Sequence, residues 1–390
     1  GPTLLRAAAK NFPSVIVIVD PADYCWISER LRNGFLPNQQ TKLLSMDERR
    51  ELARKAFQHV ALYDTTIARY LGFDASDSGR DLTFGYRKQY DLRYGENPHQ
   101  TASLYSDLLS STGIANAIQL HGKQLSYNNL LDADAAWRAV SDFDESVVAI
   151  IKHTNPCGLA LHSDQSIAYQ RAFDGDPVSA YGGIVGFNAK VSVDTVNAMR
   201  DIFYEVVLAP EYETEALDIL KQRKNLRILK VTPSIRTQPE KDVRLITGGV
   251  VVQDADVAKD DAVSWKVVTT RQVDDQELSD LAFAWKVAKH VKSNAIVLAK
   301  NRAVIGIGAG QPNRVNSVYL SLKGAGENGK GSVLASDAFF PFADNIQAAA
   351  LGGVASIVQP GGSIRDQEVI DAANAADISM VFTGTRHFKH

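Results

Sequence analysis

The stretch 147–158, VVAIIKHTNPCG, constrains this chain more than any other. An unbroken apolar run rich in β-branched residues suits a strand whose sheet is covered on both faces, which selects an α/β architecture with parallel pairing. The run stops at Lys152 and His153, before an Asn-Pro turn. In such sheets ligands gather where strands end, so this is a position for chemistry. Two basic groups side by side disfavour each other's protonation, which makes one of them a candidate base near neutral pH. The same dipeptide also reads as a solvated surface pair, and only its surroundings decide between the two.

Strands and helices alternate along much of the chain. Further strands are expected at 15–19, 183–187, 249–252, 354–358 and 378–382. Asp20 and Pro21 supply a cap and a first-turn proline for a helix reaching Arg32. Ser45 and Glu48 form a capping-box pair opening a long helix, whose inner face uses Leu52, Ala56, Val60, Tyr63, Ile67 and Leu71 before Gly72 stops it. The polar segment 74–81 marks a boundary, giving domains at 1–75 and 91–390 with a linker at 76–90. A second capped helix opens at Asp274 with Glu277 and turns Leu278, Leu281, Trp285 and Ala288 to one side. Residues 295–299 and 304–307 then flank Lys300-Asn301-Arg302 as a hairpin. Helices from about Asp344 and Arg365 complete the pattern, and 91–250 and 262–390 read as two similar α/β layers.

Composition excludes several classes. A chain of 390 residues, 45% hydrophobic and 22% charged, has the size for two or three cores and the balance of a soluble globular protein. A net charge of −3 argues against a broad nucleic-acid surface, so any anion must be caught in a local pocket. No apolar run reaches the ~18 residues of a membrane span and no signal peptide opens the chain, so the cytoplasm is the expected compartment. Cys25 and Cys157 are too few and too distant for a disulfide framework or a four-ligand zinc site. Gly1-Pro2-Thr3 runs without an initiator Met into LLRAAAKN, which reads as helix interior, so the chain is expected to begin inside a domain.

Four further motifs invite chemistry. RYGENPHQ at 93–100 is a polar turn in which Arg93 offers a bidentate phosphate contact and Gly95 allows close backbone approach. Gly306-Ile307-Gly308-Ala309-Gly310-Gln311 lacks the third glycine of a dinucleotide fingerprint and follows a hairpin, which argues against nicotinamide binding but leaves backbone amides for an anion or planar ring. SDAFFPFADN at 336–345 reads either as a core cluster followed by an Asp344 cap or as a slot for a flat heterocycle. TGTRHFKH closes the chain and places Arg386 just beyond an apolar strand, or in a frayed tail.

In order, RYGENPHQ, LSYNNLLDADAAW, IKHTNPCG, DPVSAYGGIVGFN, VKSNAIVLAKNRAVIGIGAGQ, SDAFFPFADN and TGTRHFKH resemble the bifunctional purine biosynthesis family. That family joins an aminoimidazole carboxamide ribonucleotide formyltransferase to an inosine monophosphate cyclohydrolase. The resemblance spans the whole chain. It implies a duplicated, cytidine deaminase-like formyltransferase domain over 91–390, preceded at 1–75 by the C-terminal part of a methylglyoxal synthase-like cyclohydrolase domain. Lys10 matches a lysine of the cyclohydrolase site, whose remaining motifs have no counterpart here, so ring closure is expected only of a longer protein.

The formyltransferase motifs are complete. The resemblance implies Lys152 and His153 as the catalytic pair with Asn294 opposite, and Arg93 and Arg386 on the nucleotide's phosphate or nearby groups. It implies Tyr94, Asn129, Ser179, Tyr181, Gly182, Gly310, Gln311 and Phe339 around the substrate, and Phe342, Asp344 and Asn345 toward folate. His390 matches a terminal histidine of unassigned role. The implied cosubstrate is 10-formyltetrahydrofolate, with no catalytic metal but room for a structural monovalent cation, and the implied assembly is a homodimer with shared active sites. No membrane or nucleic-acid partner is expected. Two rivals remain. A zinc deaminase would use Cys157 after Pro156, but the accompanying His or Cys with Glu and a downstream C-x-x-C are missing. A catalytically silent nucleotide-binding module would have lost Lys152, His153 or Asn294, and all three are present.

Overall fold

The computed structural model describes residues 1–34, 44–72, 80–233, 241–258 and 260–390. Two compact units result, one of 1–90 with 104–111 and one of 91–103 with 112–390, so the chain returns briefly to the first unit after entering the second. Of the boundary expected over 74–81, residues 74–79 lie outside the described residues.

The first unit is mainly helical, and most of the two-stranded sheet of Tyr86–Leu92 and Ala102–Asp107 also belongs to it. Pro2–Lys10, Tyr24–Gly34 and Met46–Leu71 are α-helices, and Asp20 caps the short turn Pro21–Asp23 by accepting the Ala22 N–H. The expected capping box holds: Ser45 accepts the Glu48 N–H while the Glu48 carboxylate accepts the Ser45 N–H. Leu52, Ala53, Ala56 and Val60 are buried, whereas Tyr63, Ile67 and Leu71, expected on the same inner face, are exposed. The reason is length, since the 9-residue helix Pro2–Lys10 cannot cover a 26-residue helix at ~1.5 Å per residue. Residues 15–19 form no strand among the described residues; Val17 packs with Ala9, Ala53 and Ala56, and Ile16 and Ile18 pack against Ile27, Leu44 and Leu52.

The second unit is built on a 12-stranded mixed sheet. From one edge its strands run Ile118–His121, Arg227–Lys230, Val206–Ala209, Ile184–Phe187, Val147–Lys152 and Asn155–Leu161. The other six continue as Ala303–Gly308, Ile296–Lys300, Val333–Ser336, Ser356–Gln359, Ser379–Phe382 and Lys266–Val267. Each set of six holds three strands in parallel, flanked by an antiparallel hairpin on the inner side and an antiparallel edge strand on the outer. Along Val147–Lys152 the side chains alternate between two covered faces. Val147, Ala149 and Ile151 join one core with helices Tyr127–Ser141 and Asp275–Ala288, while Val148 and Ile150 join another with helix Gln165–Gly175. This strand is antiparallel to both neighbours, so Lys152 and His153 sit at a hairpin and not at the end of a parallel strand. The strand expected at 249–252 belongs to a separate two-stranded ribbon of Lys241–Ile246 and Gly249–Asp254.

Two glycines explain how closely helices lie on the central strands. A Cβ on Gly158 would stand 1.8 Å from the Ala172 carbonyl oxygen of helix Gln165–Gly175, and one on Gly308 would stand 1.9 Å from the Ser317 carbonyl oxygen of helix Arg314–Ala325. Gly158→Ala is therefore expected to destabilise by about 1–3 kcal/mol in urea unfolding, the range for an overpacked core. Gly249→Ala, whose Cβ meets nothing within 4 Å, is the control expected to leave the midpoint in place. Equal midpoints for the two variants would remove this account of Gly158.

Candidate active site

His153 and Thr154 alone form the tip of the hairpin between Val147–Lys152 and Asn155–Leu161; both are left-handed, with φ of 52° and 62°. Asn155 and Pro156, read above as the turn, already belong to the second strand. The Asp132 carboxylate, on helix Tyr127–Ser141, accepts the Thr154 N–H at 2.6 Å. Lys152 is half-buried and donates from Nζ to the Tyr181 carbonyl at 2.6 Å, while His153 is exposed. Gly182 lies under the same ammonium: with φ of 72°, it offers a Cβ position 3.3 Å from Lys152 Nζ. Tyr181 stacks at a tilt on Phe203, 5.5 Å between ring centres, and the Ser179 N–H is capped by Asp176.

A second group meets this hairpin through one bond, from the Lys292 N–H to Asn155 Oδ1 at 3.0 Å. Two residues on, Asn294 follows a cis peptide bond to Ser293 and is held on both sides of its amide. Its nitrogen donates to the carbonyls of Gln311 (2.8 Å) and Pro312 (3.2 Å), and its oxygen accepts from Arg314 at 2.6 Å. Gly310 is left-handed and gives its N–H to the Lys292 carbonyl. Gly306 and Gly308 are strand residues under a helix, so the glycine-rich stretch is largely a packing device and not an anion loop. Arg314 also binds Asp337 and Ser336, and Ser293 Oγ donates to the other oxygen of Asp337.

The remaining candidates fall around these two groups. Asn129 closes a capping box with Ser126 and donates to Glu205 at 2.7 Å. Glu205 also pairs with Arg227, whose charge faces Arg93, and its own charge faces Asp132. Arg93 is exposed and lies over the Tyr94 ring, 4.7 Å from its centre. Arg386 is exposed and lies over Phe388 at 4.4 Å; the His390 carbonyl accepts from Arg244. Phe340 is fully buried, but Phe339 and Phe342 are exposed and Phe342 carries Arg365 over its ring. Asp344 is the first helical residue and makes no cap contact; the cap is Ala343. Asp344 accepts instead from Asn345, whose Oδ1 is buried without a partner. Among the described residues no hydrogen bond or ion pair joins 339–345 to the hairpin tip. Lys10 ends helix Pro2–Lys10 in the first unit, exposed.

Several residues that hold these groups were not singled out above: Asp132, Glu205, Arg227, Arg314 and Asp337. Asp132 had a signal, since it lies three residues after Asn129 on one helix face. His387 is another. Only 1% exposed, it sits between Asp256 at 2.5 Å and Asp260 at 2.8 Å. Burial pulls its pKa down, but the two carboxylates outweigh burial and push it up to about 9. A pKa raised above the ordinary 6.5 gives stability that is complete below that value and is lost as pH rises toward 9. The melting temperature is therefore expected to fall between pH 6.5 and 9, and His387→Gln to flatten that fall; parallel pH curves for the two proteins would contradict the clamp.

Cys157 gives no sign of metal chemistry. Burial pushes its thiol up to about 12, and Sγ faces the Ile150 carbonyl. Among the described residues no three His, Cys, Asp or Glu side chains come together as metal ligands, and no helix is long and apolar enough to cross a membrane.

The profile of the family described as AICARFT/IMPCHase bienzyme matches residues 8–324. A bifunctional purine biosynthesis protein of Dictyostelium discoideum is 49% identical, over all of this chain and 77% of its own length. The proteins of that name from Anoxybacillus flavithermus and Bacillus cereus are 48% and 47% identical, each over all of this chain and 75% of their own length. This chain belongs to the AICARFT/IMPCHase bienzyme family. The family match takes in both units, from Lys10 through the hairpin at 152–155 to Arg314. The alignments to the bifunctional relatives cover the rest of the chain as well.

Proposed function

We propose that this chain transfers the formyl group of 10-formyltetrahydrofolate to the 5-amino group of aminoimidazole carboxamide ribonucleotide, in de novo purine biosynthesis. The observation that carries the reading is the hairpin tip, which presents Lys152 and His153 beside the segment bearing Asn294. The attacking amine is attached to an electron-poor ring and is a weak nucleophile, so a base must take its proton as it reaches the formyl carbon. His153 is that base. As the new C–N bond forms, the formyl oxygen gains charge and Lys152, whose ammonium has donors beyond the one given to Tyr181, stabilises it. Asn294 serves from the opposite side. Its longer contact, to Pro312, is the one released for donation. The bond from the formyl carbon to the folate nitrogen then breaks, and that nitrogen takes a proton relayed from the His153 imidazolium or given by Lys152. The chemistry draws on no catalytic metal.

Arg93, Tyr94, Asn129, Ser179, Tyr181, Gly182, Gly310, Gln311, Phe339 and Arg386 belong in this reading to the nucleotide side, and Phe342, Asp344 and Asn345 to the folate side. The repeated strand pattern supports a duplicated domain over 91–390; its cytidine deaminase-like character, a cyclohydrolase-type segment at 1–75 and a linker at 76–90 belong to the same proposal. A homodimer with shared sites is part of the proposal; the ribbon that leaves Leu245 88% exposed is apolar surface suited to a second copy. So are a cytoplasmic location and a structural role for any bound monovalent cation. The test mixes purified protein with both substrates and follows tetrahydrofolate release and the nucleotide separately. Tetrahydrofolate release matched by formylated nucleotide is expected; zinc-dependent release of ammonia from a base or nucleoside would overturn the assignment.

A further inference from the structure

Two hairpins of the second unit are built alike, yet only one carries a histidine. Helices Tyr127–Ser141 and Asp275–Ala288 each open on a capping box and each send an aspartate to the hairpin that follows. Asp132 accepts the Thr154 N–H at 2.6 Å and also faces the His153 N–H. Asp280 accepts the N–H groups of Asn301 at 2.9 Å and Arg302 at 2.6 Å. In both cases the aspartate precedes the second tip residue by 22 positions. Both tips are left-handed, at 52° and 62° in one and 53° and 55° in the other. The lysine before each tip gives its ammonium to a carbonyl, Lys152 to Tyr181 and Lys300 to Lys330. Two successive non-glycine residues in this region are unfavourable without outside support, and the carboxylate supplies it by taking N–H groups that no strand partner reaches.

We infer that Asp132 is a positioning residue for formyl transfer: by holding the backbone of His153 and Thr154 it fixes the direction in which the His153 imidazole leaves the hairpin. The inference rests on His153 as the base. Asp280 performs the same structural task where the tip carries Asn301, which makes it an internal control. A ring on a loosened left-handed turn swings through several ångströms, and misplacement of a catalytic group by ~1 Å can cost a hundredfold in rate.

The test compares Asp132→Ala with Asp280→Ala, and Asp132→Asn with Asp280→Asn in case either alanine variant fails to fold. Melting temperatures, kcat and both KM values are measured on each. Asp132→Ala is expected to lower kcat by about a hundredfold with little change in nucleotide KM, and Asp132→Asn, which keeps one acceptor oxygen, by about tenfold. The Asp280 variants are expected to melt at least as early but keep their kcat. Equal kcat losses at both aspartates, or a loss at Asp132 carried by KM alone, would overturn the inference. The His153 ring is also followed by NMR titration, where Asp132→Asn should move its resonances and Asp280→Asn should not. Wild-type protein without formyl transfer would sink the function proposed above, while the ring comparison still decides whether Asp132 holds His153.

Discussion

Replacing His153 with Asn is expected to lower formyl transfer by about two or more powers of ten while the nucleotide still binds, as for loss of a general base. Asn is the informative choice because Asn301 already occupies the matching left-handed tip of the other hairpin, at φ 53° against 52°. Asparagine tolerates this backbone region better than most residues, so turn strain stays small and the ring nitrogen alone is lost. His153→Ala removes the same nitrogen but adds backbone strain. Turnover is read as tetrahydrofolate release and binding by calorimetry with the nucleotide alone. Near-normal kcat in His153→Asn would take His153 out of the mechanism.

The largest stability effect is expected at Arg314 and Asp337. Their side chains are 5% and 0% exposed, paired with each other and joined to Ser336, Ser293 and Asn294. Removing one partner leaves a charge buried and unpaired, so Arg314→Met or Asp337→Leu should each cost about 3–5 kcal/mol. The double variant should cost less than the sum of the two, because no lone charge remains. Urea unfolding of the four proteins checks this. Additive losses would mean that the pair is not the coupled unit its contacts describe. Arg314→Met also frees Asn294 Oδ1, so kcat should fall at temperatures where the variant is still folded.

The parts of this molecule legible in its sequence are those written locally. Runs such as 147–151 and 296–299 are apolar at every position because both faces of their strands are covered, and they read as strands at once. The capping boxes at Ser45 and Asp274 are equally local, each a side chain bonded to a backbone N–H three residues on. What escapes is set by distant partners. The tip at His153 and Thr154 contains no glycine and is held by a carboxylate 22 residues earlier, so the turn reads two residues late, at Asn-Pro. Gly306 and Gly308 look like a phosphate loop until helix Arg314–Ala325 is laid across them. Tyr63, Ile67 and Leu71 keep the helical period of an inner face, but periodicity cannot tell that the covering helix is too short. Asp337 lies within the motif 336–345, but nothing there marks it or Arg314 as a buried pair, since a buried charge is indistinguishable from a solvated one until its partner is found.

A structure of this protein with aminoimidazole carboxamide ribonucleotide bound decides whether His153 is the base. The 5-amino nitrogen is expected within about 2.6–3.2 Å of a His153 ring nitrogen, or joined to it through one water, with the Lys152 ammonium on the side where the formyl oxygen arrives. A nucleotide seated away from this hairpin, or a His153 ring turned to bulk solvent with the ligand in place, would contradict it.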